Sequence, residues 1–324
     1  MESQKAYAAV AERYSALASD PAQSSDAYSR SVAQSFGYTK EELVDIPTES
    51  NLGLCCGNPL AIASLRQGET VIDLGSGAGF DVFLAARKVG LAGRAIGVDM
   101  NRDMLSLADK NKAKSGAGNV EFIESRITSI PLDGGVADAI ISNCVINLVP
   151  EDEKQLVFNE MFRLLKPGGR VAVSDILAKK PLPEELQKCA AAYVGCVAGA
   201  SLVGQYQSYL RQAGFADVLV KEADSDLNVY IDTLPDGSKR IKDAEASDQQ
   251  MPACCITLMT QDSVCCSPEK KAGGCCASKS DDDGWCKTSD KTGDNLGLSN
   301  LAAELGDINL NDWVGSYKIF AVKP

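Results

Sequence analysis

Twelve cysteines and no histidine in a chain of 324 residues leave sulfur as its distinctive chemistry, because the commonest general base and metal ligand is missing. Cys55, Cys56, Cys144, Cys189 and Cys196 are spread through the first two thirds, whereas Cys254, Cys255, Cys265, Cys266, Cys275, Cys276 and Cys286 crowd into one stretch near the end. Thiolates are soft donors suited to thiophilic cations and metalloids, but a free cysteine also packs well as a small hydrophobe. Cys189, in an Ala-rich run, favours the packing role. The vicinal pairs near the end lack the Cys-x-x-Cys spacing of a zinc ribbon. They read either as capture of a thiophile or supply of electrons, or as a poorly ordered tail with accessory metal affinity. Catalysis should survive their removal.

A second feature carries a different chemistry. Asp73-Leu74-Gly75-Ser76-Gly77-Ala78-Gly79 lies between an apolar run and an amphipathic one, and a second apolar run about 20 residues on ends in Asp99. Glycines there let the backbone approach a ligand that a Cβ would exclude, and Asp99 is placed to accept both hydroxyls of a ribose. Three details favour S-adenosylmethionine over NAD. Asp73 immediately precedes the turn, the spacing is Gly-x-Gly-x-Gly rather than Gly-x-Gly-x-x-Gly, and Lys166-Pro167-Gly168-Gly169 closes a helix ahead of a later strand. In this the chain resembles the class I methyltransferases, in which the turn holds the methionine portion and the acid after the second strand holds the ribose.

Hydrophobic periodicity predicts the elements that position these residues. From Glu69 the chain alternates strand and helix: TVIDLG, then GFDVFLAARKVG, AIGVDM, RDMLSLADKNKAKSG, NVEFIES, VADAIISNCVINL, DEKQLVFNEMFRLLKPGG and RVAVSDIL. That rhythm predicts an α/β fold with a parallel, doubly wound, Rossmann-like sheet. Residues 1–50 read as a helical flank or lid outside the core, with Thr39 as an N-cap and Glu42 three positions later. Residues 51–180 form the cofactor-binding core, and residues 181–231 a helical segment with a return strand in FADVLVKEADSDLNVY. Residues 232–311 are a cysteine-rich tract, partly disordered, inserted before a last antiparallel strand at residues 312–324.

Cys56 precedes the first strand, Cys144 sits at the exit of the fourth, and Cys196 follows the fifth. Exits of parallel strands gather at the carboxyl edge of an open sheet, where ligands bind. Cys144 is therefore expected to face the cofactor's methyl group. Topology alone does not bring the other two thiols alongside.

Cys56-Gly57-Asn58-Pro59, GFDVFLAARKVG, Ser142-Asn143-Cys144-Val145-Ile146-Asn147-Leu148 and Gly195-Cys196-Val197-Ala198-Gly199-Ala200 together resemble the arsenite S-adenosylmethionine methyltransferases, from about Asn51 to Asp226. The resemblance implies that Cys56, Cys144 and Cys196 bind trivalent arsenic, the last from a substrate-binding segment at 181–231. Cys55 is an alternative to Cys56, since Leu54 and Cys55 stand where that family commonly has tyrosine and glycine. It also implies cofactor contacts from Asp73, Gly75, Ser76, Gly77, Asp99, Met100, Arg126, Ile127 and Asn143, with Arg126 and Gly195 standing where acids are frequent. Three thiolates would leave arsenic(III) pyramidal with a free lone pair, which can attack a sulfonium methyl without a proton to remove. Methylarsenite and then dimethylarsenite would result. The substrate would be arsenite or its glutathione conjugate, with a thiol reductant, glutathione or thioredoxin, as co-substrate.

A net charge of −12 and a pI near 4.7 lack the basic footprint that nucleic acid or an anionic membrane requires. No run is long enough for a membrane span, and the start MESQKAYAAVAERYSALASD does not read as a secretory leader. A cytoplasmic monomer with reduced thiols is expected. Two other readings use the same residues: a methyltransferase for an organic small molecule with its thiols merely buried, and a non-catalytic thiol-rich metal-binding protein.

Overall fold

Seven apolar runs pair into one sheet in a computed structural model that describes residues 3–20, 25–44, 46–183, 187, 193, 195–232 and 309–324. The strands are β1 (Thr70–Leu74), β2 (Arg94–Asp99), β3 (Val120–Glu124), β4 (Ala137–Asn143), β5 (Leu165–Ala178), β6 (Val218–Glu222) and β7 (Val314–Val322), in the order β3-β2-β1-β4-β5-β7-β6. The first five are parallel, and β7 runs antiparallel between β5 and β6. Central strands of such a sheet are covered on both faces, so their residues are apolar without alternation. Val71, Ala139, Ile141 and Ala172 pack to one side, and Ile72, Ile140, Val171 and Val173 to the other.

The helices are α1 (Ser3–Ser19), α2 (Asp26–Ser35), α3 (Lys40–Val44), α4 (Leu60–Ala63), α5 (Phe80–Val89), α6 (Arg102–Ser115), α7 (Lys154–Leu164), α8 (Val203–Ala213) and α9 (Val229–Asp232). The expected cap of α3 is present: Thr39 Oγ1 accepts from the Glu42 N–H at 3.2 Å, and Glu42 Oε2 from the Thr39 N–H at 3.1 Å. At the start of α6, Asn101 Oδ1 accepts from the N–H groups of Asp103 and Met104, while its Nδ2 donates to Ala11 O and Ser15 Oγ. One side chain thus caps α6 and fastens α1 across the carboxyl edge of the sheet.

Three expectations need correction. Residues 1–50 do more than flank: Val10, Tyr28, Val32, Ala33, Phe36 and Tyr38 are buried in the same cluster as the sheet. Lys166-Pro167-Gly168-Gly169 does not close α7, which ends at Leu164; it opens β5, where Gly168 N–H donates to Lys323 O and the register with β4 shifts. The return strand is confined to β6, and its expected continuation turns into α9. Asp226 Oδ1 accepts the Asn228 N–H, and Asn309 and Asn311 take up the neighbouring polar groups, so the backbone there bonds to side chains instead of a ladder. The last antiparallel strand is present as β7. Cys189 and the seven cysteines between 254 and 286 lie outside the described residues.

Candidate active site

The β1–α5 turn needs glycine. Gly75, Gly77 and Gly79 all have positive φ, and a Cβ on Gly75 would lie 2.3 Å from Val145. Asp99 at the end of β2 braces the turn, its Oδ2 accepting the Gly77 N–H at 2.9 Å and its Oδ1 the Asn101 N–H at 2.8 Å. Above the turn opens a cleft of about 1090 Å³, part of it open to solvent. Every one of Asp73, Gly75, Ser76, Gly77, Asp99, Met100, Arg126, Ile127 and Asn143 lines it, together with Cys55 and Cys144. Helix α1 covers one side with Tyr7, Val10 and Tyr14. The Arg126 guanidinium stacks 4.1 Å over the Tyr7 ring, and Tyr7 donates to Glu153 Oε2.

The cleft suits a cationic ligand with polar atoms. Ser76 Oγ is buried with no protein partner. Asp73 and Asp81 are buried carboxyls and Asp99 a half-buried one, and burial pushes the titration of all three up. S-adenosylmethionine offers a sulfonium, an ammonium and ribose hydroxyls to such groups.

The tertiary structure brings Cys56 and Cys196 to Cys144, which lines this cleft. Cys56 and Cys144 are joined as a disulfide, with Cα atoms 5.8 Å apart. Cys196 Sγ donates to the Cys144 carbonyl oxygen at 2.8 Å, and the Tyr14 hydroxyl hydrogen-bonds that sulfur. Burial and the nearby Asp175 push the Cys196 thiol up, against smaller opposing effects of Tyr14 and Lys154. Cys55 remains a free, buried thiol on the cleft wall, pushed up mainly by burial, and its carbonyl accepts from Tyr230 Oη. Cys144 and Cys196 hold φ of 58° and 64°, which residues with a Cβ rarely adopt. Among the described residues only Ser64 shares this feature outside glycine. Such strain persists where surrounding bonds over-determine the backbone, as functional sites do.

Those bonds come from residues the sequence did not single out, or singled out for another role. Asn143, expected to touch the cofactor, also clamps the Cys56 loop. Its Oδ1 accepts the Cys56 N–H at 3.1 Å, and its Nδ2 donates to Gly57 O, Tyr38 Oη and Asp81 Oδ2 at 2.9–3.0 Å. Tyr38 Oη in turn donates to Asp81 Oδ1 at 2.7 Å. On the other side Asn147 Nδ2 donates to Cys196 O and to Asp175 Oδ1, and Lys154 Nζ, fully buried, donates to Gly199 O and Ser201 Oγ. A Cβ on Gly199 would meet Asn147 O at 2.0 Å, so only glycine fits the turn after Cys196. Cys56 Sγ, Cys144 Sγ and a carboxylate oxygen of Asp175 all lie within 4.8 Å of one another. The one available signal was charge where none is expected: Asp175 interrupts the apolar run of β5, and Asp81 the apolar face of α5.

The architecture and the cleft have counterparts among known proteins. A model described as a methyltransferase domain matches residues 65–214. The arsenite methyltransferase of Halobacterium salinarum is 44% identical over 219 residues, 64% of this chain and 56% of that protein. Residues 65–214 thus form a methyltransferase domain, and the chain is similar to arsenite methyltransferases over part of its length. Its fold is shared by the solved arsenic(III) S-adenosylmethionine methyltransferase of Chlamydomonas reinhardtii, at a TM-score of 0.50 and 23% identity over 90% of this chain and 73% of that one. Haemonchus contortus phosphoethanolamine N-methyltransferase 2, solved with phosphomonomethylethanolamine and S-adenosylhomocysteine, has the same fold at a TM-score of 0.56 and 17% identity, over 94% of this chain and 59% of that one. The chain spans about half the length of the curated relatives it matches.

The buried carboxyls make the stability of this chain depend on pH. Burial pushes Asp175 up to about 7 and Asp81 up to about 6, against hydrogen bonds that pull each down. Both groups bind protons more tightly folded than unfolded, so between about pH 4 and pH 7 unfolding releases protons and stability falls as pH rises. The ion-paired carboxyls of Glu69 and Asp138 are pulled below their usual range and act only at lower pH. Without cofactor, the urea midpoint is therefore expected to be higher near about pH 5 than near about pH 8, the stability difference being on the order of a few kcal/mol. Asp175→Asn should shrink that difference. Equal midpoints at the two pH values would contradict the assignment.

Proposed function

We infer that this methyltransferase moves methyl groups from S-adenosylmethionine to arsenic(III) held by Cys56, Cys144 and Cys196, giving methylarsenite and dimethylarsenite as a detoxification reaction. The observation that carries the reading is that three separate loops bring Cys144 to the wall of the cofactor cleft, Cys56 into a bond with it, and Cys196 Sγ to within 2.8 Å of its carbonyl oxygen. When bound, the cofactor supplies an electrophilic methyl on a sulfonium. Asp73 and the glycine turn take its methionine portion, Ser76 Oγ gains the partner it lacks, and Asp99 turns to the ribose. Met100, Arg126, Ile127 and Asn143 line the rest. Cys144 faces the methyl from the cleft wall, and Cys56 and Cys196 complete the donor set behind it. Arsenic attacks through its own lone pair and becomes arsenic(V), which two thiols return to arsenic(III) as they form a disulfide; these residues supply alignment, and no side chain has to act as general base.

Cys56 and Cys144 must be reduced before they bind arsenic. This supports a thiol reductant, glutathione or thioredoxin, as co-substrate: two thiols reduce the pair and leave as a disulfide. We place the reaction in the cytoplasm and on a single chain, with arsenite or its glutathione conjugate as the partner and neither nucleic acid nor membrane needed. Among the described residues no helix is long and apolar enough to cross a membrane.

The test is to supply the reduced chain with arsenite, glutathione and S-adenosylmethionine, and to measure methylated arsenic and S-adenosylhomocysteine together. Both should accumulate. Arsenite bound without S-adenosylhomocysteine, or cofactor turnover indifferent to arsenite, would overturn the reading. Serine at Cys254, Cys255, Cys265, Cys266, Cys275, Cys276 and Cys286 together is expected to leave methylation in place.

A further inference from the structure

Asp175 is a neighbour of the two bonded sulfurs that three-thiol arsenic chemistry leaves unused. Cys56, Cys144 and Asp175 are 0%, 5% and 0% exposed, and their donor atoms form the one cluster of this kind among the described residues, within 4.8 Å of one another. Asp175 Oδ1 is taken up by Asn147 Nδ2 at 3.0 Å and the Ile176 N–H at 2.9 Å, while Oδ2 receives only a 3.4 Å contact from Tyr206 Oη. One oxygen is fixed by two hydrogen bonds, and the other keeps lone pairs for a further partner. Hydrogen bonds of this sort orient carboxylate ligands at metal centres. Two thiolates and one carboxylate oxygen suit a borderline-soft divalent cation, whereas arsenic(III) prefers sulfur throughout.

We propose that Cys56, Cys144 and Asp175, once the disulfide is reduced, bind a thiophilic divalent cation of the zinc or cadmium type. An external thiol reduces the pair and leaves as its own disulfide. The cation then displaces one proton from each thiol and takes Asp175 Oδ2 as third donor, with a fourth position open to the cleft through Cys144. Two thiolates and a carboxylate against a dication leave one net negative charge. The field of Lys154, which is ion-paired with Glu151, reaches both Asp175 and Cys196. Cys196 is not a donor, so the site differs from the arsenic site in one ligand and shares two. The cation and arsenite therefore exclude each other; this consequence rests on the arsenite reading, whereas binding of the cation does not.

The experiment uses the full reduced chain, Cd2+ or arsenite as probe, and thiol alkylation resolved peptide by peptide, so that the cysteines between 254 and 286 are read separately. Cd2+ should protect Cys56 and Cys144 and leave Cys196 reactive. Asp175→Asn, which keeps the acceptor for Asn147 and Ile176, should raise the Cd2+ needed for half-protection roughly tenfold or more. Cys196→Ser should not move it. Arsenite should protect all three cysteines in both the wild type and Asp175→Asn. Unchanged Cd2+ protection in Asp175→Asn, or protection of all three thiols or none by Cd2+, overturns the proposal. If Asp175→Asn fails to fold, the wild type decides by which sulfurs Cd2+ covers. Arsenite that protects none of the three defeats the arsenite reading alone, because the Cd2+ arm is scored without it.

Discussion

Cys144→Ser is expected to lower arsenic methylation at least about 100-fold while leaving S-adenosylmethionine binding little changed. Cys144 touches everything the reaction needs. Its sulfur is bonded to Cys56, its carbonyl receives Cys196 Sγ, and its side chain lines the cofactor cleft. Serine keeps the size of the side chain and makes no new demand on the φ of 58°, so the turn should hold. What changes is the donor: a hard hydroxyl oxygen replaces a soft sulfur, and arsenic loses the ligand that sets it against the methyl. The substitution also removes the disulfide, so Cys196→Ser, which retains it, is the natural companion and should lose methylation as well. Methylated arsenic is measured by chromatography and cofactor affinity by calorimetry. Near wild-type methylation by Cys144→Ser would show that the thiols are not the arsenic site.

Asn143→Ala should destabilise the chain by about 2–4 kcal/mol and weaken arsenite binding in the part that still folds. The amide makes four hydrogen bonds in a buried setting, and its loss strips a partner from the Cys56 N–H, Gly57 O and Asp81. Asp81 suffers most, because hydrogen bonds from Asn143 and Tyr38 are what oppose burial and hold its titration near 6. Without Asn143 it should titrate higher. The second effect is positional: once the disulfide is reduced, the Cys56 loop would be held by Ser316 Oγ on the Cys56 carbonyl and Tyr230 Oη on that of Cys55, so Cys56 is free to drift from Cys144. Urea unfolding reports the first effect and arsenite protection of Cys56 the second. An unchanged midpoint with unchanged protection would remove Asn143 from the account.

The legible part of the molecule was local. The strands of the sheet are continuous apolar runs, the turn after β1 requires glycine on steric grounds, and Asp99 follows at the spacing of a ribose acceptor. Where the reading failed, competing bonds from distant residues decided. Lys166-Pro167-Gly168-Gly169 looked like a helix stop, yet pairing with the end of β7 recruits it into β5. The continuation beyond β6 had strand-like composition, yet Asn311 from the far end of the chain accepts the Leu227 N–H and Asn309 takes the Asn228 side chain.

By itself the sequence determined a cofactor turn, a parallel sheet and three cysteines each beside a strand end, because these depend on residue type and short-range spacing. Only the tertiary structure decided that Cys144 bonds Cys56 and takes the Cys196 thiol on its carbonyl oxygen, that Cys55 lines the cleft with Cys144, and that Asp175 stands against the first pair. Those placements rest on contacts between residues far apart in the chain, Asn143 to Cys56 and Asn147 to Cys196 among them. Each is set by the packing of separate elements at one sheet edge, which no local pattern of residues encodes.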